Sequence, residues 1–242
     1  MKMRITLISD THTKHRQLTN GMLPGGDLLL HAGDIMNSGY SANEVMDFFG
    51  WFNSLKQYQD KIFIAGNHDR LFQNDPELIR EIIEPYEIGI TYLEDDWINV
   101  GDSDPMDPEV NVVKIYGSPW QPEFYNWAFN LPRNGEELEA VWNKIPPGTD
   151  ILMTHGPAQG FLDTSGPPWN EPNLGCELLT KRIAELKPKI HVCGHIHGGY
   201  GYRFHNGTHY FNASILNERY EYRNKPITFD WDPDTNEINF ID

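Results

Sequence analysis

Short apolar runs recur along the chain between clusters of glycine, aspartate, asparagine and histidine, at residues 4–9, 27–31, 61–65, 112–116, 150–154 and 189–193. They are apolar at nearly every position rather than every second one, which predicts strands buried on both faces. Helical patterns lie between several of them. Residues 42–56 follow Ser41 as an N-cap, residues 76–84 follow Asp75 with Pro76 at the first helical position, and residues 175–186 end before Pro188. Alternating strand and helix predicts an α/β sandwich. Towards the C-terminus the pattern changes: residues 208–213, 226–231 and 237–241 read as successive strands joined by turns such as 232–236, which predicts a second, more antiparallel sheet. No repeat, low-complexity tract or linker-like shift divides the chain, so residues 1–242 are expected to form one domain.

Charge narrows the function classes. The chain carries 19 Lys and Arg against 35 Asp and Glu, a formal charge of −16. Such a surface repels a polyanion on average, so no nucleic-acid polymer is expected as a partner. The acidic stretch 101–109 is expected to be an exposed loop, because the glycine and terminal glutamate of a calcium loop are missing at their offsets. Two cysteines, Cys176 and Cys193, without a Cys-x-x-Cys pair, read as reduced core thiols. The N-terminal apolar stretch is too short for a signal peptide, and no run approaches the roughly 18 apolar residues of a membrane span. The expected address is the cytoplasm, with no membrane partner.

The candidate chemistry sits where the strands stop. Five predicted strands end in residues that bind metals: Asp10-Thr11-His12, Gly33-Asp34, Gly66-Asn67-His68-Asp69, Thr154-His155-Gly156 and Gly194-His195-Ile196-His197. In α/β sheets, ligands gather at the carboxyl ends of the strands, so these endings can converge on one cleft. Asp10 and His12, like His195 and His197, are two residues apart and would share a side in extended backbone. Asn67 and His68 are adjacent and should diverge, leaving Asn67 for a metal and His68 for another task. Of the other histidines, His31 and His191 are expected inside the protein, and His15, His205 and His209 in solvent.

This ordered set closely resembles the calcineurin-like metallophosphoesterases, whose blocks Asp-x-His, Gly-Asp, Gly-Asn-His-Asp, a lone His and Gly-His-x-His are all present. A finer resemblance, over nearly the whole chain, is to the brain-enriched metallophosphoesterase-domain proteins of animals and their microbial relatives. It rests on Gly117-Ser118-Pro119-Trp120-Gln121-Pro122, Trp127-Ala128-Phe129, Thr154-His155-Gly156-Pro157, the segment from His195 to Gly201, and Asn212-Ala213-Ser214. The resemblance implies a four-layer α/β/β/α sandwich with two mixed β-sheets. It also implies one metal on Asp10, His12, Asp34 and His197 and a second on Asp34, Asn67, His155 and His195, with Asp34 bridging. Some animal relatives carry glycine where this chain has His195, so a complete pair of sites is expected here.

Two divalent ions (Mn, Fe, Zn, Co or Ni, with Mn expected to serve in vitro) against the charges of Asp10 and Asp34 would leave about +2 in the site, a trap for a phosphate anion. The expected reaction is hydrolysis of a small phosphoester, a nucleotide among the candidates, by water that the metals activate. His68 is expected to contact a phosphate oxygen or protonate the leaving group, with Asp69 orienting it. Trp120 and Tyr200 are candidate substrate contacts, whereas Phe124, Tyr125, Trp127 and Phe129 are expected to anchor core and loops. The subgroup resemblance points to a phosphodiesterase acting on cyclic nucleotides or similar aryl or nucleoside diesters. A phosphomonoesterase and a catalytically weak nucleotide-binding scaffold are the alternatives. Nothing in the sequence sets the oligomeric state.

Overall fold

The computed structural model describes residues 2–18, 20–86, 89–101 and 112–241. Apart from Gly101, the predicted acidic loop lies outside them. Two six-stranded sheets stack face to face. The first runs in the order β14 (Glu237–Ile241), β13 (Ile227–Asp232), β1 (Met3–Ile8), β2 (Gly26–His31), β3 (Tyr58–Phe63) and β4 (Ile90–Tyr92). The second runs β11 (Gly201–His205), β12 (Thr208–Asn212), β10 (Ile190–Cys193), β9 (Ile151–Thr154), β6 (Val113–Ser118) and β5 (Asp96–Val100). The short strands β7 (Gln121–Pro122) and β8 (Asn130–Leu131) form a separate pair. Helices α1 (Ala42–Ser54), α2 (Arg70–Asn74) and α3 (Pro76–Ile83) belong to the first sheet's side, and α4 (Glu136–Asn143) and α5 (Glu177–Leu186) to the second's.

Both faces of the central strands are apolar, and this builds four layers. Along β2, Leu28 and Leu30 face the other sheet while Leu29 packs against Phe48 and Phe52 of α1. Along β9, Ile151 and Met153 face the first sheet, and Leu152 packs with Leu179 and Ile183 of α5. The expected four-layer sandwich is therefore the observed one. The middle of each sheet is parallel; both edges of the second sheet and the β13–β14 edge of the first are antiparallel, whereas β4 pairs with β3 in parallel.

The C-terminal strands depart from the expected second antiparallel sheet. β13 and β14 close the edge of the first sheet, whereas β12 joins the second in parallel with β10. The first sheet thus contains both early and late chain, and the apolar faces of β12 and β13 meet across the core. There Phe211 stacks on Phe229 at 4.9 Å.

Helix signals fared unevenly. The Asp75 carboxylate accepts the Leu78 amide at 3.1 Å, as a cap should. Ser41 occupies the N-cap position of α1 without a side-chain cap bond. β5 and α4 were not predicted: β5 is an exposed edge with one buried residue, and the apolar face of α4 is confined to Leu138, Val141 and Trp142. No helix among the described residues is long and apolar enough to cross a membrane. Both thiols are buried.

Phe211 is fully buried between the sheets. Phe211→Ala is expected to cost about 3–5 kcal/mol of stability, read as a lower chemical-denaturation midpoint. An unchanged midpoint would contradict the inter-sheet packing.

Candidate metal centre

The parallel strands β1, β2, β3, β9 and β10 end on the same edge of the sandwich, and all seven predicted ligands lie just beyond them. They do not project from extended backbone. Asp10, His12, Asp34 and His195 all have left-handed backbone, with φ of 54°, 38°, 60° and 65°. Non-glycine residues rarely adopt this region, and its cost is characteristic of functional turns. The pairs two residues apart therefore converge because their turns are tight. His197 begins a short 3-10 turn, after the Ile196 amide has bonded back to the Gly194 carbonyl at 2.7 Å. The glycines of the motifs are required by proximity. A Cβ at Gly66 would collide with the Asp34 carboxylate and the His155 ring, and one at Gly194 with Ser9 and the Asp10 carboxylate.

Asp34 occupies the middle. Its Oδ2 lies 3.5 Å from His12 Nε2 and 3.5 Å from His155 Nε2, while its Oδ1 accepts the His68 amide at 2.7 Å. Asp10 lies on the side of His197, whose Nε2 is 3.4 Å from its Oδ1. The Asp10 carboxylate also accepts the His195 amide at 3.1 Å and the Ser214 hydroxyl at 2.6 Å, joining strand ends from both sheets. Asp10, His12 and His197 offer ligand atoms within 4.8 Å of one another, as do Asp10, Asp34 and His155, and His12, Asp34 and His68. Asn67 Oδ1 is 2.9 Å from His155 Nε2. His195 belongs to none of these triplets; its ring lies 5.0 Å from that of His155 and forms part of the cleft wall.

Four imidazoles are oriented from behind. Nδ1 of His12, His155, His197 and His68 donates to the carbonyls of Met36, Ala32, Asn217 and Asn37 respectively, so each Nε2 points inward. This is the arrangement by which backbone carbonyls orient metal-binding histidines. Asp69, predicted to orient His68, acts elsewhere. Its two oxygens accept the amides of Asp34, Ile35, Met36 and Gly66 at 2.7–3.3 Å, bracing the turns beneath the ligands. The His68 ring is held instead by Asn37 and by stacking on Trp127 at 3.9 Å, with the Arg70 guanidinium on Trp127.

The electrostatics suit cations. Burial would raise Asp10 and Asp34, but the imidazoles of His197 and His155 overcome it and hold both carboxyls below their ordinary range. Against the opposing effect of burial, Asp10 raises His197 to about 9, and Asp34 raises His155 to about 9. A divalent ion binding at those two Nε2 atoms would have to compete with protons there. Burial lowers His12 to about 4 and His195 to about 3. Among the described residues the buried His12 Nε2 has no hydrogen-bond partner, an inward lone pair left for a ligand. Two carboxylates, an amide oxygen and these imidazoles fit borderline divalent metals. Burial and the Asp34 charge push Asp69 up to about 8, against the pull of the Met36 and Gly66 amides.

Beside the centre opens a cleft of about 460 Å³, lined by Phe124, Tyr125, Trp169, Tyr220 and the candidate ligands His195 and His197. Phe124 and Tyr125, expected to be anchors, line the cleft, whereas Phe129 is the core anchor expected of it. Phe124, Tyr125 and Trp169 are 49%, 77% and 59% exposed. Trp120 is partly buried between two core clusters and meets Phe129 edge-on at 5.5 Å, outside the cleft lining. Tyr200 packs on the central core and donates its hydroxyl to the Lys225 carbonyl at 2.9 Å. Sequence reasoning missed Tyr220, whose hydroxyl lies 3.4 Å from His68 Nε2 and whose ring meets His12 at 4.8 Å and His197 at 5.3 Å. Burial, with Asp34 and Asp10 nearby, pushes Tyr220 up to about 12, so the hydroxyl stays a donor.

Among the other histidines, His31 bonds Thr11 and the Gly33 amide, and His191 bonds Thr154, as internal residues do. His15 and His209, expected in solvent, are buried: His15 pairs with Asp47 at 3.0 Å, and His209 bridges Tyr202 and the Asn236 carbonyl. His205 is exposed as expected.

Among known proteins, the human Metallophosphoesterase domain-containing protein 1 is 42% identical over 239 residues, covering 94% of this chain and 70% of the relative. The Caenorhabditis elegans protein UPF0046 T07D4.2 is 37% identical over 244 residues, covering 94% of this chain and 60% of that one. The crystal structure of TT1561 from Thermus thermophilus superposes with a TM-score of 0.64 at 13% identity, covering 99% of this chain and 98% of that one. The sequence profile of the calcineurin-like phosphoesterases matches residues 3–199, a span that contains all seven candidate ligands. The chain belongs to the calcineurin-like phosphoesterase family.

Proposed function

We propose that this family member is a phosphodiesterase with a two-metal centre, acting on a small ester with a flat organic group, a cyclic nucleotide or aryl diester being the expected type. The observation that carries the reading is Asp34 Oδ2, placed 3.5 Å from an imidazole of each expected metal site. One carboxylate oxygen there can serve two cations. When bound, a metal pair supplies Lewis-acid charge at the phosphoryl group and lowers the pKa of water to about neutrality. Manganese is the ion we expect to support activity in vitro.

The protein's own residues do the rest. Asp10 and Asp34 concentrate negative charge at the strand ends, and His12, His155, His195, His197 and Asn67 add neutral donors that leave the occupied site positive. His68 Nε2 faces the centre and passes a proton to the leaving oxygen, its ring fixed by Asn37 and Trp127. The walls formed by Phe124, Tyr125 and Trp169 offer flat faces to a base or aryl group. That room beside the centre supports an ester with an organic substituent, and the subgroup resemblance supports the diester.

His68→Ala should retain both metals by elemental analysis and lose about tenfold or more in kcat. Unchanged turnover in the metal-replete variant would remove His68 from the reaction. Asp69→Ala should instead weaken manganese binding in a calorimetric titration, since the Asp34 turn loses its brace; wild-type affinity would refute that role. Parallel assays on 2′,3′-cyclic nucleotides, 3′,5′-cyclic nucleotides, aryl diesters and monoesters test the class. Turnover of monoesters alone would overturn the diesterase reading. Tight nucleotide binding without turnover under metal saturation would replace it with a binding protein.

A further inference from the structure

Tyr220 lies outside the segment 3–199 that the family profile matches, on a turn whose construction ties it to the centre. Its backbone is left-handed, with φ of 58°. A bulky residue holds that conformation only when its surroundings enforce it. Here Asn217 does so: its carbonyl accepts the Tyr220 amide at 2.8 Å, and its side-chain Oδ1 accepts the amides of Arg219 at 2.9 Å and Glu221 at 3.0 Å. Lys14 donates to the Tyr220 carbonyl from the chain that follows β1. The same Asn217 carbonyl accepts Nδ1 of His197 at 2.9 Å, so one residue orients a candidate metal ligand and also carries the tyrosine.

The hydroxyl is left with little to do inside the protein. Among the described residues its one hydrogen-bond partner is His68 Nε2 at 3.4 Å, longer than a good O–H···N bond. A contact that long leaves the Tyr220 hydrogen available to a better-placed acceptor. The ring lies over His12 and His197, and the residue is 37% exposed towards the cleft.

We infer that Tyr220 is a catalytic residue whose hydroxyl donates a hydrogen bond to a non-bridging oxygen of the bound phosphoryl group. The inference rests on the phosphoesterase reading. Tyr220 and His68 thereby divide the work: the imidazole serves the leaving oxygen, while the phenol stabilises charge that develops on the oxygen remaining with phosphorus.

Tyr220→Phe removes the hydroxyl and keeps the ring. Manganese-loaded wild-type and variant proteins would be compared by elemental analysis, by calorimetric titration with inorganic phosphate, and by kinetics on an aryl diester and a nucleoside 2′,3′-cyclic phosphate. The expected result is an unchanged metal content, phosphate binding about tenfold weaker or more, and a similar fall in kcat for both leaving groups, as befits a bond to a charged group. Wild-type phosphate affinity in the variant, a loss confined to one leaving group, or loss of metal would each overturn the assignment. An active wild type with an unaffected variant removes only Tyr220. A metal-loaded wild type that neither binds phosphate nor turns over any ester removes the phosphoesterase reading and this inference with it.

Discussion

Two buried carboxylates, Asp10 and Asp34, dominate this structure. Both lie where the two sheets meet, Asp10 wholly removed from solvent and Asp34 2% exposed. Ionised carboxylates in such a place are costly without compensation. The compensation is built from backbone and imidazole: the His195 amide and Ser214 hydroxyl on Asp10, the His68 amide on Asp34, and raised histidines beside each. The same imidazoles that compensate the two carboxylates are the candidate ligands, so the groups that make these buried charges tolerable are also those that could hold a divalent ion.

This constraint explains why the sandwich has mixed sheets with late strands at their edges. Asp10 belongs to the first sheet, but the groups that satisfy it, His195 and Ser214, follow β10 and β12 of the second. The isolated bridge between Ser9 and Ser214 fixes the two strand ends beside each other. Packing of Phe211 on Phe229 deep in the core and hydrogen bonds at the rim therefore enforce the same alignment of sheets. Rigid elements carry the ligands, and left-handed turns give them their final direction.

Much of this was legible in the sequence because its signals were local. Strand ends carrying Asp, His and Asn at fixed spacing located the centre, and runs apolar at every position gave strands buried on both faces. What escaped depended on distance. Nothing near Asp69 in sequence says that its carboxylate will brace the turn of Asp34 rather than the ring next to it. Aromatic identity could not separate Trp120, which anchors the core, from Phe124 and Tyr125, which face the cleft, because the difference arises where the loop crosses the β7 and β8 pair. Periodicity in β12 and β13 likewise carried strand content without the choice of sheet.

The rule of extended spacing brought the candidate ligands together for an incorrect reason, and the difference has consequences. In an extended strand, Asp10 and His12 would have diverging neighbours and freedom to shift with the pleat. In the left-handed turn, each is bonded through its own amide to the β2–α1 connection, Asp10 to the Gly33 carbonyl at 2.9 Å and His12 to the Asp34 carbonyl at 3.0 Å. Asp34 is thus tied by its main chain to the His12 whose ring it faces, so the two ligands cannot separate without breaking a buried backbone bond. Leaving such a donor unpaired costs about 1–3 kcal/mol. The strain of positive φ at four candidate ligands is the counterpart of that rigidity, and it keeps Asp34 Oδ2 midway between the His12 and His155 imidazoles.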